Sequence, residues 1–443
     1  TEKLLGGVDA ESLAQETGIA LKEYERVAKS LVDAPTRSIV YTKGAAADTA
    51  DAKNLHLLGI LMNAMLGNYQ NTIDTIVTTS KQSLGSTAAM QQLVADMNSG
   101  AVEVLIFHGV NPAYTLPKSV GFAQALAKVK LVVSLNLMMD ESASLAVFAI
   151  PAVHGLESWG DAEAQTGVYS MQQPAINPIF GETSADPTFA TRAWQESLMA
   201  FIVAAGSPVF RRVPSKADIQ RLMEDQGTTD TLKLDPKSLQ PYNITWYDYI
   251  RETWRDQIYA RTPFASPTFE AFWTTLVQTG VLDTVGAQSR NGALAAPNIN
   301  PALMGSIGAP AKSEGLTFVA QPSVVHGDGS SMINPFLLEL PDSVSKVCWD
   351  NYASIAPSLA KQLDVEDGEY VNVTVGETTV KVPAYIQPGA HKDVVSVGLG
   401  WGRTGIHGAL GEGIGVDVFP LVEATRTSLV TSGRQVKIEK AGG

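Results

Sequence analysis

The chain has 443 residues, of which 45% are hydrophobic and 17% are charged, with 32 Lys and Arg against 45 Asp and Glu. This composition is typical of a folded protein of several domains, and the formal net charge of −13 argues against a nucleic-acid binder. The longest apolar runs are much shorter than the roughly 20 residues of a membrane span, so no span is predicted. The low charged fraction favours burial of part of the surface in a complex.

The residue types that usually bind metals are few. A single cysteine, Cys348, cannot form an internal disulfide or supply the thiolates of an iron–sulfur cluster. No two of the six histidines have the three-to-five-residue spacing of helical metal motifs. No metal site is therefore predicted within this chain.

The first half of the chain alternates between strand and helix patterns. Residues 1–35 are predicted to be a helical lead-in of two amphipathic helices. Residues 36–155 are predicted to be an α/β domain whose strands are apolar on both faces, which is typical of a parallel sheet covered on both sides, a doubly wound fold. The predicted strands cover residues 38–41, 102–107, 131–135 and 147–150, and the helices cover residues 50–66, 87–99, 120–128 and 141–146.

Residues 156–330 change character and are rich in Pro, Gly, Asn and Trp. We predict an irregular region packed over the α/β layer, with a surface strap at residues 289–312 and no assigned topology. Its predicted helices cover residues 191–205, 216–225, 245–259 and 269–277.

The last segment, residues 331–443, carries strand patterns. Val371, Val373 and Val375 alternate with polar residues, a turn follows, and Val380 and Val382 alternate on the return, which predicts a hairpin. Further strands are predicted at residues 394–397 and 427–430, and a short helix at 357–363. We therefore predict a C-terminal β-barrel with glycine-rich loops.

The run GWGRTG places Gly400, Gly402 and Gly405 at the G-x-G-x-x-G spacing of dinucleotide-binding loops. More glycines follow instead of a helix that could receive a pyrophosphate, so the match is weak. A barrel loop that needs positive φ angles is the favoured interpretation.

Other short motifs give little chemistry. Ser343 with Lys346 has the S-x-x-K spacing of serine acyl-enzymes, as does Ser358 with Lys361, but the companion motifs are absent and chance explains both. The chain has no nucleophile elbow and no phosphate loop with its lysine. No nucleophilic machinery is predicted.

Two carboxylate pairs and one asparagine follow predicted strands. For Asp140 with Glu141, and for Asp161 with Glu163, capping of a following helix is favoured over acid–base catalysis. Asn111 precedes a proline at the carboxyl end of a strand, where α/β sheets bind ligands and where turns also occur. Both interpretations of Asn111 stay open.

Several segments together resemble the molybdopterin-bis-guanine-dinucleotide oxidoreductase superfamily. They are residues 101–117 (AVEVLIFHGVNPAYTLP), residues 130–157 (KLVVSLNLMMDESASLAVFAIPAVHGLE) and the stretch 342–402, which ends in GWG. The resemblance implies a molybdoenzyme-like fold, in which the C-terminal barrel is of the double-psi type.

Within the superfamily, residues 158–195 and 318–351 are most similar to the large B subunit of bacterial alternative complex III, a quinol:electron-acceptor oxidoreductase of respiratory electron transfer. This resemblance implies an interior part of a longer chain that has lost its molybdenum cofactor. It also implies iron–sulfur clusters in an adjoining ferredoxin-like part and a place on the periplasmic face of the cytoplasmic membrane. The implied partners are haem-bearing and integral membrane subunits.

The resemblance assigns no catalytic residue and no metal ligand to this chain, and whether the chain is itself an enzyme stays open. It implies a vestigial pterin cleft, formed by His108, Gly109, Asn111, Gly400 and Gly402. The alternative is the catalytic subunit of a molybdenum or tungsten enzyme, such as a polysulfide or thiosulfate reductase, with molybdopterin guanine dinucleotide bound in that cleft. A third hypothesis is an unrelated enzyme that binds a nucleotide near Asn111.

Overall fold

The structure is a computed structural model. It describes residues 9–73, 80–81, 85–180, 191–214, 240–261, 268–284, 315–405, 411–426 and 428–442, with single positions at 216, 219, 220, 223, 229, 231, 234, 237, 266 and 307. The helices are α1 (Ala10–Thr17), α2 (Leu21–Asp33), α3 (Ala52–Met65), α4 (Thr87–Ser99), α5 (Pro112–Thr115), α6 (Phe122–Leu126), α7 (Trp194–Ala204), α8 (Trp246–Thr253), α9 (Phe269–Thr279), α10 (Pro335–Glu339) and α11 (Pro357–Leu363). The strands are β1 (Val104–Phe107), β2 (Leu131–Ser134), β3 (Phe148–Ala149), β4 (Gly160–Gln165), β5 (Val168–Gln172), β6 (Arg211–Arg212), β7 (Tyr242–Asn243), β8 (Val281–Asp283), β9 (Thr317–Pro322), β10 (Ala353–Ile355), β11 (Tyr370–Val375), β12 (Thr378–Ile386), β13 (Val394–Leu399), β14 (Glu423–Ala424), β15 (Leu429–Val430), β16 (Ser432–Gln435) and β17 (Lys437–Lys440). Among these helices none is long and apolar enough to cross a bilayer.

The α/β part contains a parallel sheet in the order β1-β2-β3. Helices α4 and α6 pack on one face of it, where Met97, Leu126 and Val132 are buried in one cluster. The opposite face of β1 is open among the described residues, since Val104 is 53% and Ile106 is 40% exposed. The parallel sheet is confirmed, and the described helices cover one of its faces.

Two predicted elements of this part were wrong. Residues 38–41 form no strand, because the side chain of Asn63 binds the Val40 backbone at both its N–H and its carbonyl, at 2.9 and 2.8 Å. The helix predicted at residues 141–146 is a single 3-10 turn, Ala143–Leu145.

The middle region has more order than its composition predicts. Strands β4, β5 and β8 form an antiparallel sheet. Phe272 and Trp273 of α9, and Trp254 directly after α8, pack against it. The helix predicted at 245–259 ends its α-helical part at Thr253 and continues as a π turn, Trp254–Ile258. The predicted strap at 289–312 lies outside the described residues apart from Ile307, as does most of the helix predicted at 216–225.

The C-terminal part is one curled sheet in the order β16-β9-β13-β10-β12-β11-β17. The predicted hairpin is confirmed, with Val371 opposite Val382 and Val373 opposite Val380. The two outer strands are consecutive along the chain, because only Val436 separates β16 from β17. Phe318 and Val395 are fully buried inside the curl, and each such side chain contributes about 1.5–3 kcal/mol of burial free energy. The fold is therefore mixed α/β.

Candidate functional site

A cleft of about 290 Å³ lies where the carboxyl ends of β1 and β2 meet the loops of the C-terminal sheet. This is the edge of the parallel sheet at which open α/β folds bind ligands. We call it the interlayer cleft. Its lining residues come from the loops after β1 and β2, from α5, and from the loops before α10 and after β13: Gly109, Val110, Asn111, Tyr114, Thr115, Asn136, Leu137, Met138, Asp140, Asp328, Ser330, Ile333 and Arg403.

One asparagine holds the two sheet loops together. The Asn136 side-chain oxygen accepts a hydrogen bond from the Gly109 N–H at 2.7 Å, and its amide nitrogen donates to the Val110 carbonyl at 3.0 Å. The same nitrogen donates to Oδ2 of Asp140 at 2.8 Å. Oδ1 of Asp140 accepts the Ala143 N–H at 2.8 Å, at the start of a 3-10 turn, but the helix that Asp140 was predicted to cap is absent.

Both the nitrogen and the oxygen of the Asn111 side-chain amide form hydrogen bonds within the protein. Its amide nitrogen donates to Oε2 of Glu141 at 2.7 Å, and its oxygen accepts from the Ser142 N–H and hydroxyl at 3.0 and 2.7 Å. These bonds fix the loop after β1 against the loop after β2. Asn111 lines the cleft, and its hydrogen bonds are structural.

The centre of the site is an ion pair between Arg403 and Glu141. Nε of Arg403 donates to both carboxylate oxygens, at 2.8 and 3.0 Å, and Nη2 donates to Oε2 at 2.7 Å. The Thr404 and Gly405 backbone N–H groups add longer bonds to Oε1, at 3.2 and 3.3 Å. The two side chains are 4% and 14% exposed, so the pair is buried between the layers. Glu141 is thus an ion-pair partner, and the predicted capping role was wrong for it.

The remaining contacts of the guanidinium join a second loop. Nη1 of Arg403 donates to the Gly329 carbonyl at 2.6 Å, and the guanidinium carbon lies 4.7 Å from the centre of the Tyr114 ring. The Tyr114 hydroxyl donates to the Trp401 carbonyl at 2.6 Å. Burial raises the pKa of Tyr114. One arginine therefore connects the sheet loops, α5 and two loops of the C-terminal part.

The glycines of the GWGRTG run make this close approach possible. Gly400 has φ +92°, and a Cβ atom there would lie 2.7 Å from the Gly327 carbonyl and 2.8 Å from the Gly329 nitrogen. Gly402 has φ +70° and packs against the backbone of Asp417. Both positive φ angles were predicted, whereas Gly405 has no positive φ. Neither Gly400 nor Gly402 lines the interlayer cleft, and their loop positions Arg403 instead.

His108 lies outside the interlayer cleft. Its Nδ1 donates to the Leu135 carbonyl at 2.6 Å, and its ring stacks on Trp194 with 5.0 Å between ring centres. It lines a neighbouring cleft of about 360 Å³ together with Asp161 and Gln195. Of the five residues predicted to form one cleft, only Gly109 and Asn111 line it, and a role for any of them in binding a pterin stays a prediction.

The other predicted carboxylate pair is structural and caps no helix. Asp161 and Glu163 lie in β4, where Asp161 accepts a hydrogen bond from the Trp254 indole at 2.7 Å. Glu163 accepts from the Lys81 ammonium at 2.6 Å and from the Gly167 N–H at 2.9 Å. The capping prediction was wrong here, because both carboxylates are used within and beside a sheet that the sequence did not predict.

Most of the ionisable groups in and beside the interlayer cleft are carboxylates. Burial alone would raise the pKa of Glu141, but hydrogen bonds from Arg403 and Asn111 lower it to about 2. Burial raises the pKa of Asp140, and it raises the pKa of Asp417 to about 6. Asp140 and Asp328 line the cleft. Among the described lining residues Arg403 carries the positive charge, and Glu141 already neutralises that charge.

This arrangement does not fit a pterin guanine dinucleotide. A diphosphate is recognised by free cations or by backbone N–H groups, whereas the described lining offers two carboxylates and one arginine that is already paired. The volume, about 290 Å³, is at the lower limit of the roughly 300–1,000 Å³ of pockets for drug-sized ligands. Among the described residues no group of three or more His, Cys, Asp or Glu side chains could hold a metal ion. At this position the layers are joined by the ion pair beside the cleft.

Sequence reasoning missed the two central residues. Arg403 lies inside the GWGRTG run and Glu141 in the acidic loop after β2, so both segments were singled out, but for their glycines and for capping. An arginine within a glycine-rich loop, together with an acidic loop at a strand end, was the available signal.

The chain is related to the molybdopterin oxidoreductase superfamily, as its residue patterns predicted, and two curated relatives confirm this. The menaquinone reductase molybdopterin-binding-like subunit of Nitratidesulfovibrio vulgaris is 26% identical over 197 residues, which are 40% of this chain and 28% of that protein. The thiosulfate reductase molybdopterin-containing subunit PhsA of Salmonella typhimurium is 21% identical over 309 residues, 66% of this chain and 37% of that protein. The chain thus spans less than two fifths of the length of either relative.

No family model matches the chain. Among solved structures, acetylene hydratase from Pelobacter acetylenicus is similar with a TM-score of 0.46 and 12% sequence identity. The match covers 81% of this chain and 47% of that structure.

Proposed function

We propose that this chain is a molybdopterin-oxidoreductase-like structural domain, without a molybdenum cofactor of its own, in a membrane-attached quinol-oxidising respiratory complex of the alternative complex III type. The observation that carries the proposal is the buried pair of Arg403 and Glu141, which joins the layers where a pterin cleft was predicted.

The relatives support the setting of the proposal. One of them is the molybdopterin-binding-like subunit of a menaquinone reductase, a protein of quinone chemistry. By the resemblance to alternative complex III, we extend the proposal to haem-bearing and integral membrane partner subunits and to the periplasmic face of the cytoplasmic membrane. Iron–sulfur clusters would then reside in an adjoining ferredoxin-like part of the parent protein.

The proposed role is that of a rigid frame. Electron transfer between subunits requires cofactors that are held at fixed separations. The ion pair, the cation–π contact with Tyr114 and the hydrogen bond from Asn111 to Glu141 resist relative movement of the layers. We further propose that the curled sheet closes as a barrel of the double-psi type, since its outer strands β16 and β17 are continuous through Val436.

The test is a metal and nucleotide analysis of the parent protein purified from its source. We expect molybdenum and tungsten well below one atom per chain by elemental analysis, and no guanine nucleotide after acid extraction. A thiosulfate reductase prepared in the same way is the positive control. Stoichiometric metal with an extractable guanine nucleotide would overturn the proposal.

That outcome would favour a second candidate function, a catalytic molybdenum or tungsten subunit. One specific observation supports this candidate, namely the match of 66% of the chain to a molybdopterin-containing subunit. The same purification separates the two candidates in another way. Co-purification with haem-bearing subunits is expected for the first candidate, and reduction of thiosulfate or polysulfide by the isolated protein is expected for the second.

A further inference from the structure

A second cleft, of about 350 Å³, opens among the loops of the C-terminal sheet. It shares no lining residue with the interlayer cleft. Trp401 and Asp350 are among its lining residues. We call it the barrel-loop cleft, and the function proposed above does not use it.

The mouth of the barrel-loop cleft is apolar and open to solvent. Val324 is 78% exposed, Leu340 is 51% exposed and Val344 is 62% exposed, and all three line the cleft. Exposed aliphatic side chains grouped around one opening are typical of a surface that binds another molecule. Apolar walls alone, however, do not identify the ligand.

Asp350 indicates what kind of ligand the cleft would bind. Its carboxylate is half-buried, it accepts the Asn351 N–H, and it forms no ion pair with any described Lys or Arg. The neighbouring Asp342 differs, because its Oδ1 accepts from the Val344 and Ser345 N–H groups at 2.9 and 2.8 Å and from the Tyr352 hydroxyl at 3.3 Å. Burial raises the pKa of Asp350, which is the expected effect when a carboxylate lacks a cation.

The other titratable groups of the lining do not supply that cation. His391 accepts the Asp393 N–H at its Nδ1 at 3.2 Å, and Tyr352 carries no charge at neutral pH. Lys346 lies in the same turn, but its ammonium donates to the Ser343 carbonyl at 2.9 Å. Asp350 is therefore an acceptor in the lining of the cleft and has no cationic partner among the described residues.

The turn that carries Asp350 is unusual in its backbone. Trp349 has φ +61° and Lys346 has φ +65°, a region that residues with a Cβ atom rarely adopt. The turn is held by the bonds to Asp342 and by the Trp349 N–H, which donates to the Leu338 carbonyl at 3.3 Å. This conformation leaves the Trp349 ring 39% exposed and places Asp350 in the cleft.

We propose that the barrel-loop cleft receives a lysine side chain from an apolar segment of a partner protein, with the ammonium group paired to Asp350. The four-carbon stem of lysine would lie along the aliphatic side chains of Val324, Leu340 and Val344 while its charged end reaches Asp350. The lysine ammonium is a compact point charge, so the single Asp350 carboxylate is sufficient to pair with it. The formal charge of −13 also favours a cationic partner.

The binding site is tested with n-butylammonium, which reproduces the lysine side chain, and with 1-butanol as its uncharged analogue. Trp401 lines the cleft, so tryptophan fluorescence of the full chain reports occupancy. We expect saturable binding of butylammonium that weakens about tenfold or more in Asp350→Asn. Glu339→Gln is the matched control, because it removes an exposed carboxylate nearby that does not line the cleft.

A second variant keeps the test decisive if Asp350→Asn does not fold. Val324→Lys changes a lining residue that is 78% exposed and places a positive charge at the mouth, so it should weaken butylammonium binding more than it weakens butanol binding. Equal affinities for butylammonium and butanol in the unmodified protein would overturn the site.

The partner is tested by zero-length carbodiimide cross-linking of the protein purified with its natural partners. We expect an amide bond between Asp350 and a lysine of another polypeptide, and its loss in Asp350→Asn but not in Glu339→Gln. A cross-link to another copy of this chain, or no cross-link at Asp350, would overturn the assignment of a partner protein. Neither result bears on whether a molybdenum cofactor is present, so the inference and the proposed function fail independently.

Discussion

Arg403 and Glu141 lie 262 residues apart in the sequence, yet their side chains meet through three hydrogen bonds of 2.7–3.0 Å. Arginine is suited to this place because its planar fork matches a carboxylate and leaves Nη1 free for the Gly329 carbonyl. The pair is buried, so its removal has larger consequences than the loss of a surface ion pair.

The first prediction concerns the loss of the cation. Arg403→Met should lower the free energy of unfolding by about 3 kcal/mol, because it leaves the Glu141 carboxylate buried without its cation. Urea unfolding at neutral pH, followed by circular dichroism, measures the effect. Arg403→Met combined with Glu141→Gln should recover part of the loss, because the second change removes the unpaired charge.

Lys392→Met is the matched control for this prediction. Lys392 pairs with Asp393 at 2.7 Å, but the lysine side chain is 71% exposed, so its loss should cost less than about 1 kcal/mol. If Arg403→Met were as mild as Lys392→Met, the ion pair would not hold the layers together.

The second prediction concerns the stability of the fold at acidic pH. The pKa of Glu141 is about 2 in the folded protein against an ordinary value of 4.5. Because the folded-state pKa is the lower one, the stabilisation is complete above pH 4.5 and is lost as the pH falls towards 2. Urea midpoints measured from about pH 5 to about pH 3 should therefore fall more steeply in the unmodified protein than in Glu141→Gln. Parallel curves for the two proteins would contradict the assigned ion pair.

The parts of the fold that the sequence predicted are those with strong local patterns. The alternation of Val371, Val373 and Val375 determined a hairpin with its register, and Pro357 at the start of α11 marked a helix that the structure has at the predicted bounds. Strands β1 and β2 were evident as short apolar runs. In these segments the pattern of buried side chains is itself the cause of the structure.

The predictions that failed concern segments whose structure depends on residues distant in the sequence. Strand β4 has the sequence GDAEAQ, whose residues are poor strand formers, and it exists because it pairs with β5 and because Asp161 binds the Trp254 indole. The contact between Arg403 and Glu141 was not predicted for the same reason, because nothing in the sequence around Arg403 indicates Glu141 as its partner. Single-sequence patterns carry no information on such pairings.

The third prediction concerns Asp417, whose pKa burial raises to about 6 from an ordinary value of 3.8. Because the folded-state pKa is the higher one, the folded state holds the proton more tightly, and stability from this group is lost as the pH rises through about 4 to 6. Asp417→Asn should remove that loss. The variant should gain on the order of 2–3 kcal/mol relative to the unmodified protein between pH 4 and pH 7, measured by urea unfolding at both values.

Asp393→Asn is the control for the third prediction, because the Asp393 side chain is 45% exposed and pairs with Lys392 at the surface. Its pH dependence should follow that of the unmodified protein. If the difference between Asp417→Asn and the unmodified protein were the same at both pH values, Asp417 would not be a buried carboxylate.

The fourth prediction separates close packing from backbone strain at the glycine-rich loop. Gly400 and Gly413 both have positive φ angles, +92° and +72°, so alanine is strained at either position. At Gly413 a Cβ atom would meet nothing within 4 Å, and Gly413→Ala should cost about 1 kcal/mol. At Gly400 it would press on the backbone of Gly327 and Gly329, whose carbonyl accepts from Arg403, so Gly400→Ala should cost at least about 2 kcal/mol more. Thermal and urea unfolding of the two variants measure the difference, and equal losses would show that the loops are not in the close contact on which the interlayer site depends.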